Sequence, residues 1–572
     1  MRQLVIVESP HKAEAIEALY PGTACVATVG HICDLSPTPM NGVGVDRNTL
    51  QGEYVLTSNP NRSTDGVRFV SEIRRRLEEH PDILVTLATN PDPEGESTAA
   101  FLVKHLGLRE YRRVLPHAIT KDAFDRAWGR SDAINWAKVN EHEARRVINR
   151  LVGSTIDSFL GTSSDKQPSP FYPLQVAVEA LIVERERAIR TFSAKPFYTT
   201  RYGFDGWQAQ WEPSIPRPIV NGPTPNQFYD AEDLNPRCHS RASAEHAAGF
   251  PSLLVLNHFE RIEEVAPPPP LNTPAMLRAA ARQLSWGVGK TIQVAQQLFD
   301  GSRAGPGLIT YHRGSGRSVG RSVAMTIRAR LAEERLPVSD GPSYLSEQIG
   351  CGGIVPTRIE LEQAGADSDQ QALYRIIWER AMFSQLRAAR FALKRVELVD
   401  PGRGQQKFSA TSRTMIEAGW LGTAAKIYAW DTAYGNVPAH LGTGPTLPLL
   451  SVGPILRRQT CAVEECAAPA PLRYTVDSLI SALDRHGLAH PFLLPGIFRR
   501  LECDGFVERD GLFHATEIAE KRYDALYPRF AFAHINYAIE LEQALRLVLR
   551  QQLDGIQLTR KVWERLDSDC SA

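Results

Sequence analysis

The feature that most constrains the fold is a strand-like run followed at once by three acidic residues. The run Ile83–Val85 is short, apolar and partly β-branched, and it leads into LATNPDPEGE at residues 87–96, so it predicts a buried strand. Asp92, Glu94 and Glu96 stand at alternate positions, and the Pro and Gly residues between them predict a rigid loop rather than a helix. Crowded carboxylates repel one another unless a hard cation lies between them, and oxygen ligands suit Mg²⁺. An acidic surface turn explains this segment, taken alone, equally well.

A further acidic residue follows the first strand-like run of the chain. Leu4–Val7 predicts a short strand with Glu8 at its end, and Ser9 and Pro10 favour the start of a helix. In an open parallel sheet, ligand sites lie beyond the carboxyl ends of the strands. We therefore expect Glu8 and the later acidic residues to face one site, with Lys12 one helical turn from Glu8. Short apolar runs alternate with helical stretches up to residue 135, which predicts an α/β domain with a mostly parallel sheet.

A tyrosine and an arginine follow an apolar run much further along the chain. Residues 307–313 read GLITYHR, which predicts a strand leading into Tyr311, with Arg313 on the same side because side chains alternate along a strand. A phenol has a pKa of about 10, so attack on a phosphodiester needs its proton removed or its oxyanion stabilised. Arginine can stabilise both a phenolate and the charge on a phosphate. The commoner role of an isolated strand tyrosine is packing in the core.

Taken in order, four motifs resemble those of the type IA DNA topoisomerases: Glu8-Ser9-Pro10-x-Lys12, Gly30-His31, ATxxDxEGE at residues 88–96, and GLITYxR. The early strand with Glu8 and the later acidic strand end are similar to a Toprim domain, a metal-dependent phosphotransfer module. The resemblance extends over nearly the whole chain and is nearer to the decatenating topoisomerase III kind, in a divergent form. It implies a multidomain α/β plus α chain, in which an N-terminal Toprim domain with a Rossmann-like parallel sheet, helical domains and a β-rich arch form a toroidal fold.

The resemblance also implies an activity, which is ATP-independent cleavage and religation of one DNA strand through a 5′-phosphotyrosine intermediate. Such a reaction relaxes negative supercoils or decatenates DNA. The resemblance implies that Tyr311 is the nucleophile and that Arg313 stabilises charge. It makes Glu8 the general acid, and Lys12 a residue that holds the scissile phosphate.

The same resemblance implies a cofactor and a set of DNA contacts. Mg²⁺ is the expected cofactor, bound by Glu8, Asp92 and Glu94. The residues expected to contact DNA are His31, Arg145, Arg146, Gln175 and Arg317.

Several of these residues have a plainer explanation. Arg145 and Arg146 belong to a predicted amphipathic helix. Charged residues on such a helix most often lie on a solvated face and form intrahelical ion pairs. His31, without the resemblance, is a structural loop residue. The chain also departs from the family pattern, since Asn90 replaces its first metal-site Asp and Cys33 replaces an Arg. Three functions stay open: an active type IA topoisomerase, a catalytically impaired DNA-binding homologue, and a Toprim nuclease or primase, neither of which needs the tyrosine motif.

Changes of pattern along the chain predict six segments. Pro267–Pro270 forms a stiff spacer at one of the boundaries. The segments are a Toprim domain at 1–135, the first part of a helical DNA-binding domain at 136–194, the first part of a β-rich arch at 195–266, the domain with the active-site tyrosine at 267–384, the second part of the arch at 385–455, and the second part of the helical domain at 456–572.

The overall charge offers DNA no attraction. The chain has 65 Lys and Arg residues against 65 Asp and Glu residues, so DNA binding requires a local basic groove. The expected partners are single-stranded DNA and negatively supercoiled DNA, and the expected state is a monomer. Residues 287–291 hint at a P-loop, but the earlier glycine and the preceding strand are absent. We therefore expect no nucleotide cofactor.

Composition also sets expectations for location. The sequence has no apolar run of the roughly 20 residues that span a membrane, and its first residues do not resemble a secretory signal. Its 8 cysteines are not spaced as a disulfide framework. We expect no membrane partner and a cytoplasmic location, for a protein that is associated with the bacterial nucleoid or encoded by a mobile element.

Overall fold

A computed structural model describes residues 3–36, 43–46, 48–58, 65–130, 132–161, 172–213, 238–341, 344–346, 352–427, 446–467, 469–503 and 506–571. In these ranges, no helix is both long enough and apolar enough to cross a membrane.

At the N-terminus, short strands and helices alternate as the sequence predicts. They are β1 (Gln3–Val7), α1 (Pro10–Leu19), β2 (Ala24–Ala27), β3 (Cys33–Leu35), β4 (Tyr54–Leu56), α2 (Gly66–Glu79), β5 (Leu84–Leu87), α3 (Pro93–Leu106), β6 (Arg112–Arg113) and α4 (Lys121–Arg130). Four strands form a parallel sheet in the order β2-β1-β5-β6. Alternate residues of β1 enter two different cores, Val5 with Ile16 of α1 and Leu4 with Ile73 of α2. The sheet is therefore covered on both faces, as parallel sheets usually are.

The acidic stretch after β5 is helical, and the prediction of a rigid loop there is wrong. Helix α3 begins at Pro93, and Asp92 caps it by accepting a hydrogen bond from the backbone N–H of Gly95 over 2.7 Å. Proline is favoured in the first turn of a helix, where its missing N–H costs nothing. Glu96 consequently turns inward, where it is completely buried and pairs with Arg113 at 3.3 Å.

The middle of the chain combines helices with a long sheet. Its elements are α5 (Trp136–Leu160), α6 (Pro173–Arg190), β7 (Pro196–Phe204), β8 (Trp207–Glu212), α7 (Arg241–Ala247), β9 (Ser252–Val265), α8 (Thr273–Leu284), α9 (Val288–Asp300), β10 (Val319–Gly320), α10 (Arg321–Glu333), β11 (Leu345–Ser346), α11 (Ser368–Phe383), β12 (Ala389–Val399), β13 (Lys407–Glu417), α12 (Gly419–Ile427), β14 (Ile455–Arg457) and β15 (Thr460–Ala467). Seven strands pair in the order β14-β9-β12-β13-β8-β7-β15, each with its neighbours antiparallel.

The two strand-rich segments that flank the tyrosine thus form one sheet, which we call the arch sheet. Strand β15 pairs with β7 along its whole length. It lies beyond residue 455, where the sequence placed the end of the arch, so the sheet extends further than that boundary. The reason is the long-range pairing, which local patterns do not record.

The last part of the chain is mainly helical. It contains α13 (Val476–Arg485), α14 (Leu494–Cys503), β16 (Phe506–Arg509), β17 (Leu512–Ala515), α15 (Glu517–Leu526), α16 (Ile535–Leu549) and α17 (Gly555–Ser571). Helices α16 and α17 pack against α5, with Leu545 and Leu558 in one core with Ile148. Helix α5 and the end of the chain therefore form one helical unit, although more than 300 residues separate them.

The segment that carries Tyr311 is irregular, and the prediction of a strand there is wrong. Its backbone groups bond to several separate parts of the chain: the N–H of Gly307 to Ile119 O, of Thr310 to Val355 O and of Tyr311 to His117 O, each over 2.9 Å. A strand needs one continuous partner. One core nevertheless joins this segment to β1 and to α13, since Ile309, Val5 and Leu479 belong to it.

Candidate active site

Glu8 and Asn90 meet at the carboxyl ends of the adjacent parallel strands β1 and β5. The backbone N–H of Asn90 donates to Oε1 of Glu8 over 2.5 Å. Nζ of Lys12 donates to Ala88 O at 2.8 Å and to Oδ1 of Asn90 at 3.2 Å, and it lies 3.6 Å from Oε2 of Glu8. Lys12 is only 2% exposed, so these oxygens replace water around its ammonium group. Of the residues expected at this strand edge, Glu8 and Lys12 therefore lie together.

Tyr311 reaches this edge from the other side. Its hydroxyl donates a hydrogen bond to Oδ2 of Asp92. Burial raises the pKa of Tyr311 well above 10, the negative charge of Asp92 raises it further, and Arg313 opposes both. The phenol is therefore protonated in this arrangement, with a carboxylate oxygen already in position to accept its proton.

Arg313 lies beside this pair, on the same side as Tyr311. Burial alone lowers the pKa of its guanidinium, but the neighbouring Tyr311, Asp92, Glu94 and Glu8 together more than compensate, so the pKa is raised. One Nη lies 3.5 Å from Oε1 of Gln296, and among the described residues the buried Nε has no hydrogen-bond partner. A fixed cation with spare donors suits an incoming phosphate. His312, between the two, points into the core and is completely buried.

Glu8 is held in an environment that favours its protonated form. Burial raises the pKa of Glu8, and the positive charge of Lys12 reduces the shift without cancelling it. A carboxyl group with a raised pKa keeps its proton to higher pH than usual and can give it to a leaving oxygen.

The carboxylates do not fit a metal ion as they stand. Asp92 uses one oxygen to cap α3 and the other to accept from Tyr311. Oε1 of Glu94 lies 3.2 Å from Nε2 of His31, and Glu96 faces the interior. Over the part of the chain that the structure describes, no three His, Cys, Asp or Glu side chains converge as a metal site. Metal binding at this edge therefore requires these side chains to exchange partners.

A large cavity opens next to this site. Its volume is about 1690 Å³, and its lining comes from the N-terminal domain, α5, α9, the tyrosine segment and α14. Five arginines and three carboxylates line it; the arginines are Arg145, Arg146, Arg150, Arg313 and Arg499. Four of these arginines face the three carboxylates, because the charge of Arg145 is already paired with Glu141 and Glu542 outside the lining. This cavity is the candidate for the local basic groove that DNA binding requires.

Of the residues expected to contact DNA, three line the cavity: His31, Arg145 and Arg146. Arg146 donates to Oδ1 of Asp34 over 2.6 Å and remains partly exposed. Arg145 is different, because its guanidinium pairs with Glu141 and, through two bonds, with Glu542 of α16. The charge of Arg145 is therefore already neutralised by buried carboxylates, and a phosphate contact by Arg145 stays a prediction.

Gln175 and Arg317 lie elsewhere. Gln175 is completely buried and donates to Oε1 of Glu179 over 3.0 Å, so it does not face the cavity in this arrangement, and its DNA contact stays a prediction. Its helix turns this face toward the core. Arg317 is half exposed and pairs with Asp484 of α13 at 2.9 Å. It does not line the cavity, and its DNA contact stays a prediction.

The structure adds residues that the sequence did not single out. Arg113 is completely buried and donates to Thr89 O at 2.8 Å and to Asn90 O at 3.1 Å, so it fixes the end of β5. Nothing in its two-residue strand marks it. Arg150 and Arg499 line the cavity; Arg150 follows Arg146 by one helical turn, and that spacing is the signal that points to it.

Comparison with known proteins agrees with this arrangement. Residues 3–120 match the family model of the Toprim domain, and residues 133–559 match the model described as DNA topoisomerase. The plasmid DNA topoisomerase I of Xylella fastidiosa is 29% identical over 585 residues, covering 100% of this chain and 83% of that protein. DNA topoisomerase 1 of Treponema pallidum is 28% identical over 514 residues, covering 86% of this chain and 65% of that protein.

The fold has a solved counterpart. The structure of full-length topoisomerase I from Thermotoga maritima superposes with a TM-score of 0.71 at 23% identity, covering 99% of this chain and 90% of that one. The three relatives named here are called topoisomerase I or 1, and the nearer kinship to topoisomerase III stays a prediction. The Toprim domain is a metal-binding domain, and the second family model alone spans most of the chain. The chain therefore belongs to the type IA DNA topoisomerases.

Proposed function

We propose that the protein cleaves and rejoins one strand of DNA with Tyr311 as its nucleophile. The observation that carries this proposal is the hydrogen bond from the Tyr311 hydroxyl to Asp92, at the edge of the Toprim sheet and beside Arg313. A tyrosine that only packs in the core does not need its hydroxyl to contact the carboxylate of Asp92. The resulting link is a 5′-phosphotyrosine, as in the family that the sequence resembles.

The side chains present supply each proton transfer. As the phenol oxygen of Tyr311 bonds to phosphorus, its proton passes to Asp92, which already accepts from it. The bond from phosphorus to the 3′-oxygen breaks, and Glu8 donates its proton to that oxygen. Rejoining reverses each step, so no ATP is consumed. Arg313 and Lys12 stabilise the charge on the phosphate.

The substrates proposed are single-stranded DNA and negatively supercoiled DNA, bound in the basic cavity by a monomer. Strand passage then relaxes supercoils or decatenates circles. Mg²⁺ is the proposed cofactor. Asp92, Glu94 and Glu8 are the residues that would hold it, in a state in which they have given up their present partners, and it would supply charge neutralisation at the phosphates. An origin on a mobile element stays a prediction, and the word plasmid belongs to the name of the Xylella relative.

The test uses single-stranded DNA labelled at its 3′ end, incubated with the protein with and without Mg²⁺ and then denatured on a gel. We expect a slowly migrating adduct that carries the label, because the fragment whose 5′ end is joined to Tyr311 keeps the original 3′ end of the DNA. The adduct should disappear in Tyr311→Phe. The matched control is Tyr20→Phe, since Tyr20 donates to Asp125 away from the cavity.

A second candidate function is a DNA-binding homologue with impaired catalysis. Asn90 favours it, because a neutral amide that accepts from Lys12 stands where the family has a carboxylate. The same gel separates the two functions. Binding of DNA without any adduct, even at high Mg²⁺, would establish the impaired homologue and reject the active enzyme.

A further inference from the structure

One part of the cavity wall is apolar, although the rest is mostly polar. We call it the apolar wall; it consists of Phe492, Leu493, Pro495 and Gly496, at the start of α14. A Cβ atom added to Gly496 would meet no atom within 4 Å, so the space in front of this wall is open. Elsewhere the lining carries arginines and the amides of Gln293, Gln296 and Gln297. Apolar surface in a charged groove needs an apolar partner to be covered.

Phe492 is the aromatic member of the apolar wall, and it is firmly supported from the protein side. Its ring meets the ring of His490 edge-on, with centroids 5.0 Å apart, and the guanidinium of Arg145 lies 6.0 Å from its centroid. Both supports are themselves fixed by Glu542, which pairs with Arg145 and lies 3.1 Å from Nε2 of His490. The buried ion pairs of Glu542 with Arg145 and His490 therefore hold the partly buried ring of Phe492 against the cavity.

Cations are available on the same cavity surface. Arg146 and Arg150 share the single carboxylate of Asp34, at 2.6 and 3.3 Å, so the pair keeps an excess positive charge. Arg499 is exposed on α14, and no ion pair joins it to any residue that the structure describes. These three arginines suit the phosphates of a strand.

We propose that Phe492 stacks on one unpaired base of the bound DNA strand, while Arg146, Arg150 and Arg499 bind its phosphates. The proposal rests on the proposed function and names how that function's substrate is recognised. Every base has a flat π-face, so stacking of this kind tolerates any sequence but needs a base that is free of its neighbours. Bases in a duplex are already stacked, and the contact therefore selects single-stranded DNA at this point of the groove.

The test measures the affinity of the full chain, without Mg²⁺, for a set of single-stranded oligonucleotides that each lack one base. For the unmodified protein we expect affinity to fall about 5- to 100-fold when the missing base is at one position, or at two adjacent positions, and little elsewhere. Phe492→Ala should show a similar loss with the complete oligonucleotide and no further loss at that position. Phe492→Trp should restore both the affinity and the position dependence.

Controls separate stacking from a structural effect. Phe259→Ala is the matched variant, because Phe259 is 48% exposed on the arch sheet and does not line the cavity; we expect it to bind like the unmodified protein. If Phe492→Ala lowers the affinity equally for every oligonucleotide, including those without the critical base, Phe492 has only a packing role. That result would overturn the proposal. An absence of any sensitive position in the unmodified protein would do the same.

The proposal stays testable if Phe492→Ala does not fold, because Phe492→Leu keeps the apolar volume and lacks the ring. The Phe492→Leu variant should lose the dependence of affinity on the position of the missing base.

The test of stacking and the test of the proposed function can fail independently. An adduct at Tyr311 without a sensitive base position would reject stacking alone, while a sensitive position without an adduct would reject catalysis alone.

Discussion

A carboxylic acid that must carry a proton at neutral pH needs surroundings that disfavour its ionised form. Burial gives Glu8 such surroundings, and its pKa is raised even though Lys12 lies 3.6 Å away. Tyr311 is also protonated at rest, but it touches a carboxylate that can take its proton. The two carboxyl groups thus have opposite tasks. Asp92 receives a proton from the nucleophile, and Glu8 gives a proton to the leaving oxygen.

This arrangement predicts a pH dependence for strand cleavage. Glu8 must be protonated to act, and because its pKa is raised, the competent form persists to higher pH than for an ordinary glutamic acid. Cleavage should therefore slow as the pH rises through the pKa of Glu8. Glu8→Gln should lower the cleavage rate about 10²- to 10⁴-fold and abolish this decline. Single-turnover cleavage of labelled DNA across the pH range measures both effects.

The control for this prediction is Glu14→Gln, since Glu14 lies on the exposed side of the same helix. Its rate and pH profile should match those of the unmodified protein. A profile that keeps its decline in Glu8→Gln would assign the titrating acid to another residue.

At the scale of elements, one carboxylate joins two helices from different parts of the chain. Asp477, in the first turn of α13, pairs with Arg278 and Arg282 of α8, each over 2.8 Å. The two arginines are one turn apart, so the carboxylate bridges them, and the N-terminal end of α13 favours its negative charge. Helix α8 precedes the tyrosine segment. This contact therefore helps to position Tyr311 relative to the helical part that lines the cavity.

Removing the charge of Asp477 should weaken the contact between α13 and α8. Asp477→Asn is expected to lower the free energy of unfolding by about 1–3 kcal/mol, because it removes the negative charge and one of the two acceptor oxygens that face two partly buried guanidinium groups. Denaturation in urea, followed by tryptophan fluorescence, measures the change. Asp122→Asn is the matched control, since Asp122 also lies in the first turn of a helix and pairs with an arginine but is 75% exposed. A loss within about 0.5 kcal/mol is expected there. Equal losses in the two variants would contradict the argument.

At the scale of the whole molecule, charge is segregated although it sums to zero. With 65 basic against 65 acidic residues, the molecule has no net attraction for DNA at a distance. The cavity concentrates five arginines against three carboxylates, and its walls come from parts of the chain that are far apart in sequence. Arg313 of the Tyr311 segment belongs to the same lining as Arg146, Arg150 and Arg499, so these arginines are placed to attract a phosphate backbone toward the site.

The cavity charge predicts how binding responds to salt. Each phosphate neutralised by an arginine releases counterions, so Arg499→Ala should reduce the slope of log affinity against log salt concentration by about 0.7 for single-stranded DNA. Binding titrations at several salt concentrations give the slope. Arg560→Ala, on the exposed face of α17, should leave the slope unchanged. A slope that does not change in Arg499→Ala would place the phosphates away from α14.

Much of the secondary structure was predictable because its causes are local. Ser9 caps α1, as the sequence predicts. The edge at which Glu8 lies follows from strand direction alone. The errors also have local causes: Pro93 was treated as a helix breaker where it begins one, and the apolar residues before Tyr311 indicated a strand where the structure has none.

Residue type and order show that a tyrosine, an arginine and strand-end carboxylates are present, and the resemblance to the type IA topoisomerases indicates their roles. Which of those groups are free to act depends on packing between distant segments. The hydrogen bond from Tyr311 to Asp92 spans 219 residues, and the ion pair that neutralises Arg145 spans 397. A charged side chain can bind a substrate only if no buried partner of opposite charge already neutralises it. That partner is set by packing between distant segments, which no local pattern records.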